Sequence, residues 1–406
     1  MRVLYFSPRI CWPTISGAHL RDFYFARELA QNARLTYVGL VNEDAGAEAE
    51  ELRRRLGGAE VVALRRDKSY KPVNILRGLI GPTPLNVLNF TSPAVIAKLD
   101  GILAREQYDV IQIESMHLIA YARHIRQIAP RTRLILDWHN IESEILARYA
   151  ENDRNPLRAI YARRTSTLSR NVENELLRLC HAHTVCSQRE REVLLARVPE
   201  ARIEVVGNGV DCDFFSQQPS HNPARRDVLF MGRMDYHANI DAAIYFVHSI
   251  WPLVVARRPE LRLVIVGAQP SEAVQSLKSD NVVVTGTVDD VRPYYRSALV
   301  SVVPLRVGGG TRLKVLEAMA AGTPVVSTVL GAEGLAISDG KDILIADTPQ
   351  AMADAIVSLR AESPLWQELV TNGRRLVRER YDWSVVGAIL VRLHAEQVEM
   401  ACAQAK

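Results

Sequence analysis

PLRVGGGTRLKVLEAMAAGTPVVST, residues 304–328, decides the fold. An apolar run ends near Pro304, three glycines fill 308–310, and apolar residues then recur at helical spacing from Arg312 until a β-branched run at Pro324–Ser327. A strand that turns through glycines into a helix and returns as a strand is the repeating unit of a parallel α/β sheet. Glycine lets backbone approach a ligand closely, and a helix start offers unpaired N–H groups and a positive dipole, so the turn is a phosphate-binding device. Thr311 is placed to cap the helix. Arg312 adds a fork-shaped donor and Lys314 a point charge. Glu317, three residues after Lys314, shares its helix face and can hold a ribose by its hydroxyls. The plainer reading of Lys314 and Glu317 is a surface pair beside a flexible turn.

The same alternation extends both ways. Strands are predicted at Val228–Met231, Leu261–Val266, Val282–Thr285, Leu299–Val303, Pro324–Ser327 and Ile343–Ile345, with helical stretches beginning near Asn239, Ser271, Val291, Thr311 and Gln350. The first half opens with a strand at Arg2–Phe6 and a helix from about Gly17 to Asn32. Apolar runs follow at Leu35–Val41, Val61–Leu64, Val110–Ile113, Leu134–Leu136 and His183–Cys186. Strands apolar on both faces and separated by helices form parallel sheets covered on both sides. The reading is two facing, Rossmann-like doubly wound α/β domains, 1–206 and 207–381, with ligand beyond the carboxyl ends of the strands and an interdomain cleft. GNGVDCD, ending at Asp213, marks the boundary. The closing helix, within 382–406, packs either on its own domain or back on the first.

At 406 residues the chain suits two domains of about 200 each. Its 48% hydrophobic and 24% charged residues are those of a soluble globular protein. No apolar run reaches the roughly 18 to 20 residues of a membrane-spanning helix, and MRVLYFSPRI lacks a signal-peptide core, so a cytoplasmic location is expected. Cys11, Cys180, Cys186, Cys212 and Cys402 lack CxxC spacing and read as free buried thiols. Residues 1–205 hold 30 Lys and Arg against 24 Asp and Glu, a net +6, while the remainder nets −2. That basicity is too dispersed for nucleic acid, but suits an anionic lipid surface or a phosphorylated acceptor.

The stretch at 304–328 resembles the carboxyl-domain signature of retaining glycosyltransferases of family 4, which have the GT-B fold. VVGNGVDCDFF (205–215), LFMGRMDYHANIDAA (229–243), LRLVIVGAQP (261–270) and NVVVTGTVDDVRPYY (281–295) continue the likeness in family order. The first half is similar through its strand–loop–Gly17 opening and DWHNIES (137–143). The narrower likeness is to sugar transferases of bacterial surface-polysaccharide pathways. The resemblance implies that Glu317, second glutamate of an E-x7-E motif, binds the donor ribose, and that Arg233, after Gly232, contacts the donor diphosphate. It implies that Gly17 admits the diphosphate to the first domain and that His139 lies near the donor sugar; its other reading is a satisfied wall histidine. Asn208 and Gly209 are either donor-adjacent or structural. Two positions depart from the pattern. The first glutamate falls at Gly309, and the lysine expected after Gly-Arg is replaced by Ala238 and Asn239. Backbone amides at Gly309, Gly310 and Thr311, with Arg312 or Lys314, are the candidates to compensate.

The activity this implies is transfer of a sugar from a nucleotide-sugar donor to a glycan or lipid-linked acceptor, with retention, no cofactor and no metal. Arg233, Lys314 and the 309–311 amides would stabilise the departing diphosphate. Two other readings stay open: a different GT-B activity such as a sugar-nucleotide epimerase or phosphorylase, and a nucleotide-sugar-binding scaffold without turnover. Residues 68–99 hold no Asp or Glu but carry Lys68, Lys71, Arg77 and Lys98, around the apolar, proline-broken VNILRGLIGPTPLNVLNF. With the seven arginines of 148–178, they predict that the first domain docks on the inner face of a membrane, unless 68–99 packs inside it or lines a soluble acceptor's site.

Overall fold

The computed structural model describes residues 1–66, 72–152, 155–216, 225–307 and 312–404. It divides into two compact units, Met1–Gly207 with Val386–Lys406, and Asn208–Val385.

The first unit is built on β1 (Arg2–Ser7), β2 (Arg34–Val41), β3 (Glu60–Arg65), β4 (Val110–Glu114), β5 (Arg133–Trp138), β6 (Ala182–Val185) and β7 (Ile203–Val205). These form one sheet in the order β3-β2-β1-β4-β5-β6-β7, and all pairs are parallel. The order reverses between β1 and β4, which opens a crevice beyond their carboxyl ends. The strands are nearly continuous apolar runs because helices cover both faces; Leu4, Phe6, Ile111, Ile113, Leu134 and Leu136 are fully buried. The first helix runs Gly17–Asn32, and the Ser16 side chain accepts from the His19 N–H at its start. The three-residue β7 was not foreseen as a strand. The last helix, Trp383–Gln404, lays Leu393 against Val110, Ile135 and Ala182, and the Gln397 Oε1 accepts from Arg133 Nε and Nη2 at 3.2 and 3.1 Å.

The second unit holds β8 (Asp227–Met231), β9 (Arg262–Val266), β10 (Val282–Val284), β11 (Ala298–Val303), β12 (Val325–Ser327) and β13 (Leu344–Ile345). They form a second parallel sheet, ordered β10-β9-β8-β11-β12-β13, with its reversal between β8 and β11. One helical stretch, His237–Val255, is 19 residues long and apolar enough by length and composition to cross a membrane. It is the one such stretch among the described residues, and it is not an unbroken apolar run, since Asp241 and His248 lie within it. The apolarity has a packing cause: Ala242, Phe246, Ile250, Trp251 and Val254 belong to the buried core against the second sheet.

All five cysteines are free. Cys11, Cys180 and Cys212 are buried as expected, whereas Cys186 is half-buried and Cys402, near the chain end, is exposed.

Candidate functional site

Each unit carries a polar cluster at the carboxyl ends of its strands. In the second unit, β8 ends at Met231 and the chain turns through Gly232, whose φ of +156° lies in a region L side chains rarely adopt. A Cβ there would lie 2.8 Å from Asn239 Nδ2 and 3.0 Å from Lys314 Nζ, so a side chain would be strained by its φ and would displace the Asn239 and Lys314 side-chain ends. Asn239 stands in the helix His237–Tyr245, and its Nδ2 donates to the Arg233 carbonyl at 2.8 Å. Lys314 comes from the helix Leu313–Ala321, 75 residues away in sequence, and donates to Asn239 Oδ1 at 2.8 Å. Its Nζ lies 5.1 Å from the centre of the Phe230 ring. Burial, with nearby Arg312, pushes the Lys314 pKa down to about 7, against the pull of Glu317.

The glycine-rich motif therefore places its charges differently from the sequence expectation. Lys314 and Glu317 feel each other electrostatically, but Lys314 reaches Asn239, while Glu317 Oε2 accepts from Tyr295 Oη at 2.9 Å. Burial raises the Glu317 pKa, while Tyr295 and Lys314 oppose that rise. Both residues are half-buried. Arg312 is also withdrawn: it is 4% exposed and its Nε donates to the Leu330 carbonyl at 3.0 Å. The helix starts at Leu313, one residue later than expected, and Gly309, Gly310 and Thr311 lie outside the described residues. Arg233 is half-exposed and clamps Asp235, with Nε–Oδ1 at 3.1 Å and Nη2–Oδ2 at 2.5 Å. Lys314 thus delivers an ammonium to the side of Asn239, where the family pattern has its own lysine in the adjoining sequence.

In the first unit the cluster sits where the strand order reverses. Ser7 ends β1, Glu114 ends β4, and His139 follows β5 directly. Asp22, on the first helix, accepts at Oδ2 from Ser7 Oγ (2.8 Å) and Arg9 Nη1 (2.9 Å). Arg21 grips Asp137 through two bonds, Nε–Oδ2 at 2.7 Å and Nη2–Oδ1 at 2.6 Å, and donates to the Gly207 carbonyl at 2.9 Å. Both partners are buried. Gln112 Nε2 donates to Glu114 Oε1 at 2.6 Å. The His139 Nε2 lies 3.1 Å from Asp22 Oδ1, 3.2 Å from Glu114 Oε2 and 3.9 Å from Asp137 Oδ2.

The electrostatics follow from that geometry. Burial alone would lower the His139 pKa, but the carboxylates of Asp22 and Glu114 overcome it and raise the value to about 10. Glu114 is pushed up to about 7 by burial and by Asp137, its neighbour across the β4–β5 ladder. Burial would raise Asp22, yet Arg9 and His139 hold it down at about 2. The three atoms Asp22 Oδ1, Glu114 Oε2 and His139 Nε2 lie within 4.8 Å of one another, a spacing that could hold a metal ion. The charge count disfavours it. Asp22, Glu114 and Asp137 already face Arg9, Arg21 and a His139 imidazolium, which balances the cluster without an ion.

Gly17 opens its helix at an exposed position, and Asn208 is half-buried. Gly209 has a packing reason: a Cβ there would lie 2.7 Å from the Trp383 ring and 2.8 Å from the Tyr381 carbonyl. Sequence reasoning missed Asp22, Glu114 and Arg21 in the first unit and Asn239 as a ligand of Lys314. The available signals were Gln112 and Glu114 inside an apolar strand, and an Arg-Asp pair on the buried face of a helix.

Residues 45–214 match the family described as Glycosyltransferase Family 4, and residues 225–362 that described as Glycosyl transferases group 1. The phosphatidyl-myo-inositol mannosyltransferase of Mycobacterium leprae (strain TN) is 32% identical over 199 residues, 47% of this chain and 52% of that protein. A 44.6 kDa uncharacterized protein in the cps region of Klebsiella pneumoniae is 25% identical over 165 residues, 38% of this chain and 42% of that one. The chain spans about half the length of the curated relatives it matches. Among solved structures, sucrose-phosphate synthase from Thermosynechococcus elongatus superimposes with a TM-score of 0.69 at 16% identity, covering 98% of this chain and 100% of that one. Anabaena Alr3699/HepE in complex with UDP and glucose gives 0.68 at 16% identity, with the same coverage. The chain belongs to glycosyltransferase family 4, and its two parallel sheets are those of the GT-B fold.

Proposed function

We propose that the protein is a retaining glycosyltransferase that moves a sugar from a nucleotide donor to a glycan or lipid-linked acceptor, on the cytoplasmic side, in polysaccharide or glycoconjugate biosynthesis. The observation that carries this is the half-buried Lys314 side chain, which has the Asn239 amide oxygen as its hydrogen-bond partner beside the β8 turn. A partly desolvated cation whose hydrogen-bond partner is uncharged is poised for an anion. The named ligands of the solved relative, UDP and glucose, suit that site, and the lipid in the mannosyltransferase's name suits a lipid-linked acceptor.

In the proposed step the bond from the sugar's anomeric carbon to the diphosphate breaks, and its electron pair stays on the diphosphate oxygen. The acceptor hydroxyl bonds to the same carbon and passes its proton to the departing diphosphate. Lys314, Arg233 and the amides at Gly309, Gly310 and Thr311 stabilise the developing charge. Glu317, oriented by Tyr295, takes the ribose. Gly17 and Asn208 are assigned to the donor side by the family pattern, and His139 acts as a cation near the sugar rather than as a base. No divalent ion is assigned a role.

The test is incubation with UDP-, GDP- and dTDP-sugars and lipid-linked acceptors, beside a thermal-shift screen with the nucleotides. Transfer with retained configuration supports the proposal. Conversion of donor alone would identify an epimerase, and donor binding without turnover a scaffold, the reading that Gly309 in place of a glutamate favours.

A further inference from the structure

The acid-free segment singled out in the sequence folds into three helices, Pro72–Ile80, Leu85–Phe90 and Pro93–Arg105; Lys68 and Lys71 lie outside the described residues. The first of these helices is unusual in what it exposes. Val73, Ile75, Leu76, Leu79 and Ile80 are 49, 38, 57, 48 and 76% exposed, so apolar side chains face outward over about half of its circumference. Its attachment is narrow: Gly78 is buried closely against Leu85, and Asn74 Nδ2 donates to the Leu88 carbonyl at 3.4 Å.

A second tether is Arg164, whose Nη1 and Nη2 donate to the carbonyls of Gly78 and Gly81 at 2.8 and 2.5 Å. Arg164 belongs to the long helix Pro156–Leu179. Leu157 and Ile160 precede it by seven and four residues, which puts all three on one helical stripe. Leu157 is 77% and Ile160 61% exposed. The stripe therefore runs directly into the apolar helix, joining two segments that are distant in sequence. Neither 72–99 nor 155–172 contains an Asp or Glu, and Arg77, Arg158 and Arg163 are exposed on them. The adjoining helix, Glu142–Asn152, does carry acids, of which Glu144 is paired with Arg148 and Arg189.

From this juxtaposition we infer that the Pro72–Ile80 helix and the Leu157–Arg164 stripe form a docking face for an anionic lipid bilayer surface. Apolar side chains on short amphipathic elements enter the boundary between head groups and acyl chains, while flanking cations meet the anionic heads. Charge selects the occupant. A second copy of the chain pairing face to face would set Arg77 and Arg158 against their own equivalents, with Glu151 beside Arg163 as the one carboxylate sharing a pocket with these arginines among the described residues. The inference stands on this face alone and does not depend on the transferase reading.

The experiment is co-sedimentation of the full chain with phosphatidylcholine vesicles with and without phosphatidylglycerol, at low and high salt. The expected result is binding that needs phosphatidylglycerol, weakens with salt, and disappears in Leu76→Gln/Ile80→Gln. In Arg158→Gln/Arg163→Gln binding should fall about 5-fold for each charge removed. Circular dichroism checks the fold of both variants, and the arginine pair keeps the test open should the apolar pair misfold. UDP-induced thermal shift, read in parallel, should be unchanged in both, since neither variant touches the donor cluster. Equal, negligible binding to both vesicle types at low salt would overturn the inference. So would a concentration-dependent dimer in light scattering that the Leu76→Gln/Ile80→Gln variant abolishes, because the occupant would then be a second copy.

Discussion

The two polar clusters occupy equivalent places, each beyond the strand ends where its sheet reverses order, yet their electrostatics are opposed. In the first unit three carboxylates meet three cations, and the Arg21–Asp137 pair is fully buried with two parallel hydrogen bonds. In the second, Lys314 rests on an amide oxygen and Glu317 on a phenol. The first cluster is balanced in formal charge and fixes the loops around His139, although Asp22 Oδ1, Glu114 Oε2 and His139 Nε2 meet only as close charges without a well-formed hydrogen bond. The second is left with charge that a ligand can satisfy. Removing a residue from the first should therefore cost stability, whereas removing one from the second should cost binding.

The largest effect is expected at Arg21. Arg21→Met leaves Asp137 buried and uncompensated, a change that costs about 3–5 kcal/mol. Chemical denaturation should report that loss, and adding Asp137→Leu should restore much of it. A single variant as stable as the parent would show that the pair is not the anchor described.

The opposite pattern is expected in the second unit. Lys314→Met, Glu317→Ala and Arg233→Ala should each weaken nucleotide-diphosphate or nucleotide-sugar binding by about 1.5–3 kcal/mol, the value of a hydrogen bond to a charged group. Transferase activity should fall in step, with the melting temperature of Lys314→Met unchanged or higher, since a desolvated ammonium has been removed. Calorimetric titration with UDP decides it. Any of the three that binds as the parent does is excluded from the site.

The contrast also explains what could be read in advance. The second cluster was largely legible because most of its candidate residues lie in one contiguous stretch of sequence, from β11 through the helix bearing Lys314 and Glu317 to β12. Strand and helix periodicity exposed both sheets for the same local reason, and failed for the three-residue β7, too short to show a pattern. What escaped was pairing across distance. Nothing in the sequence joins Asp22, Glu114 and His139, which come from a helix, a strand end and a loop. The Lys314–Asn239 bond likewise spans 75 residues. The alternative reading of Lys314 and Glu317 as a surface pair fails, because each has a different hydrogen-bond partner.

A smaller effect follows from the protons held in the first cluster. His139 is raised from 6.5 to about 10, so the native state keeps a proton that the unfolded chain releases. Its contribution to stability is complete below about pH 6.5 and is lost as pH rises toward 10. Glu114, raised from 4.5 to about 7, acts in the same direction over that lower range. Asp22, lowered from 3.8 to about 2, has the reverse sign: its contribution is present above about pH 4 and lost as pH falls toward 2. Melting temperature against pH should thus decline on the alkaline side, and His139→Gln should flatten that decline between pH 7 and 10. An unchanged alkaline slope in the variant would assign the titration elsewhere.

The smallest expected effect is none: thorough chelation should leave transfer intact. The one group of ligand atoms with metal-like spacing, among the described residues, is Asp22, Glu114 and His139. For a divalent ion to enter, His139 would have to give up the proton that the nearby Asp22 and Glu114 charges favour, and Arg9 and Arg21 would remain beside the ion as like charges. Binding there would exchange a balanced cluster for one with net positive charge. At the donor, Lys314 and the helix start supply the positive potential that a diphosphate needs. Activity measured after EDTA and gel filtration should match the untreated protein. Loss of activity with rescue by magnesium or manganese would place an ion in the reaction, and Glu114→Gln would then show whether it sits among these three residues: rescue should fail if it does and persist if it does not.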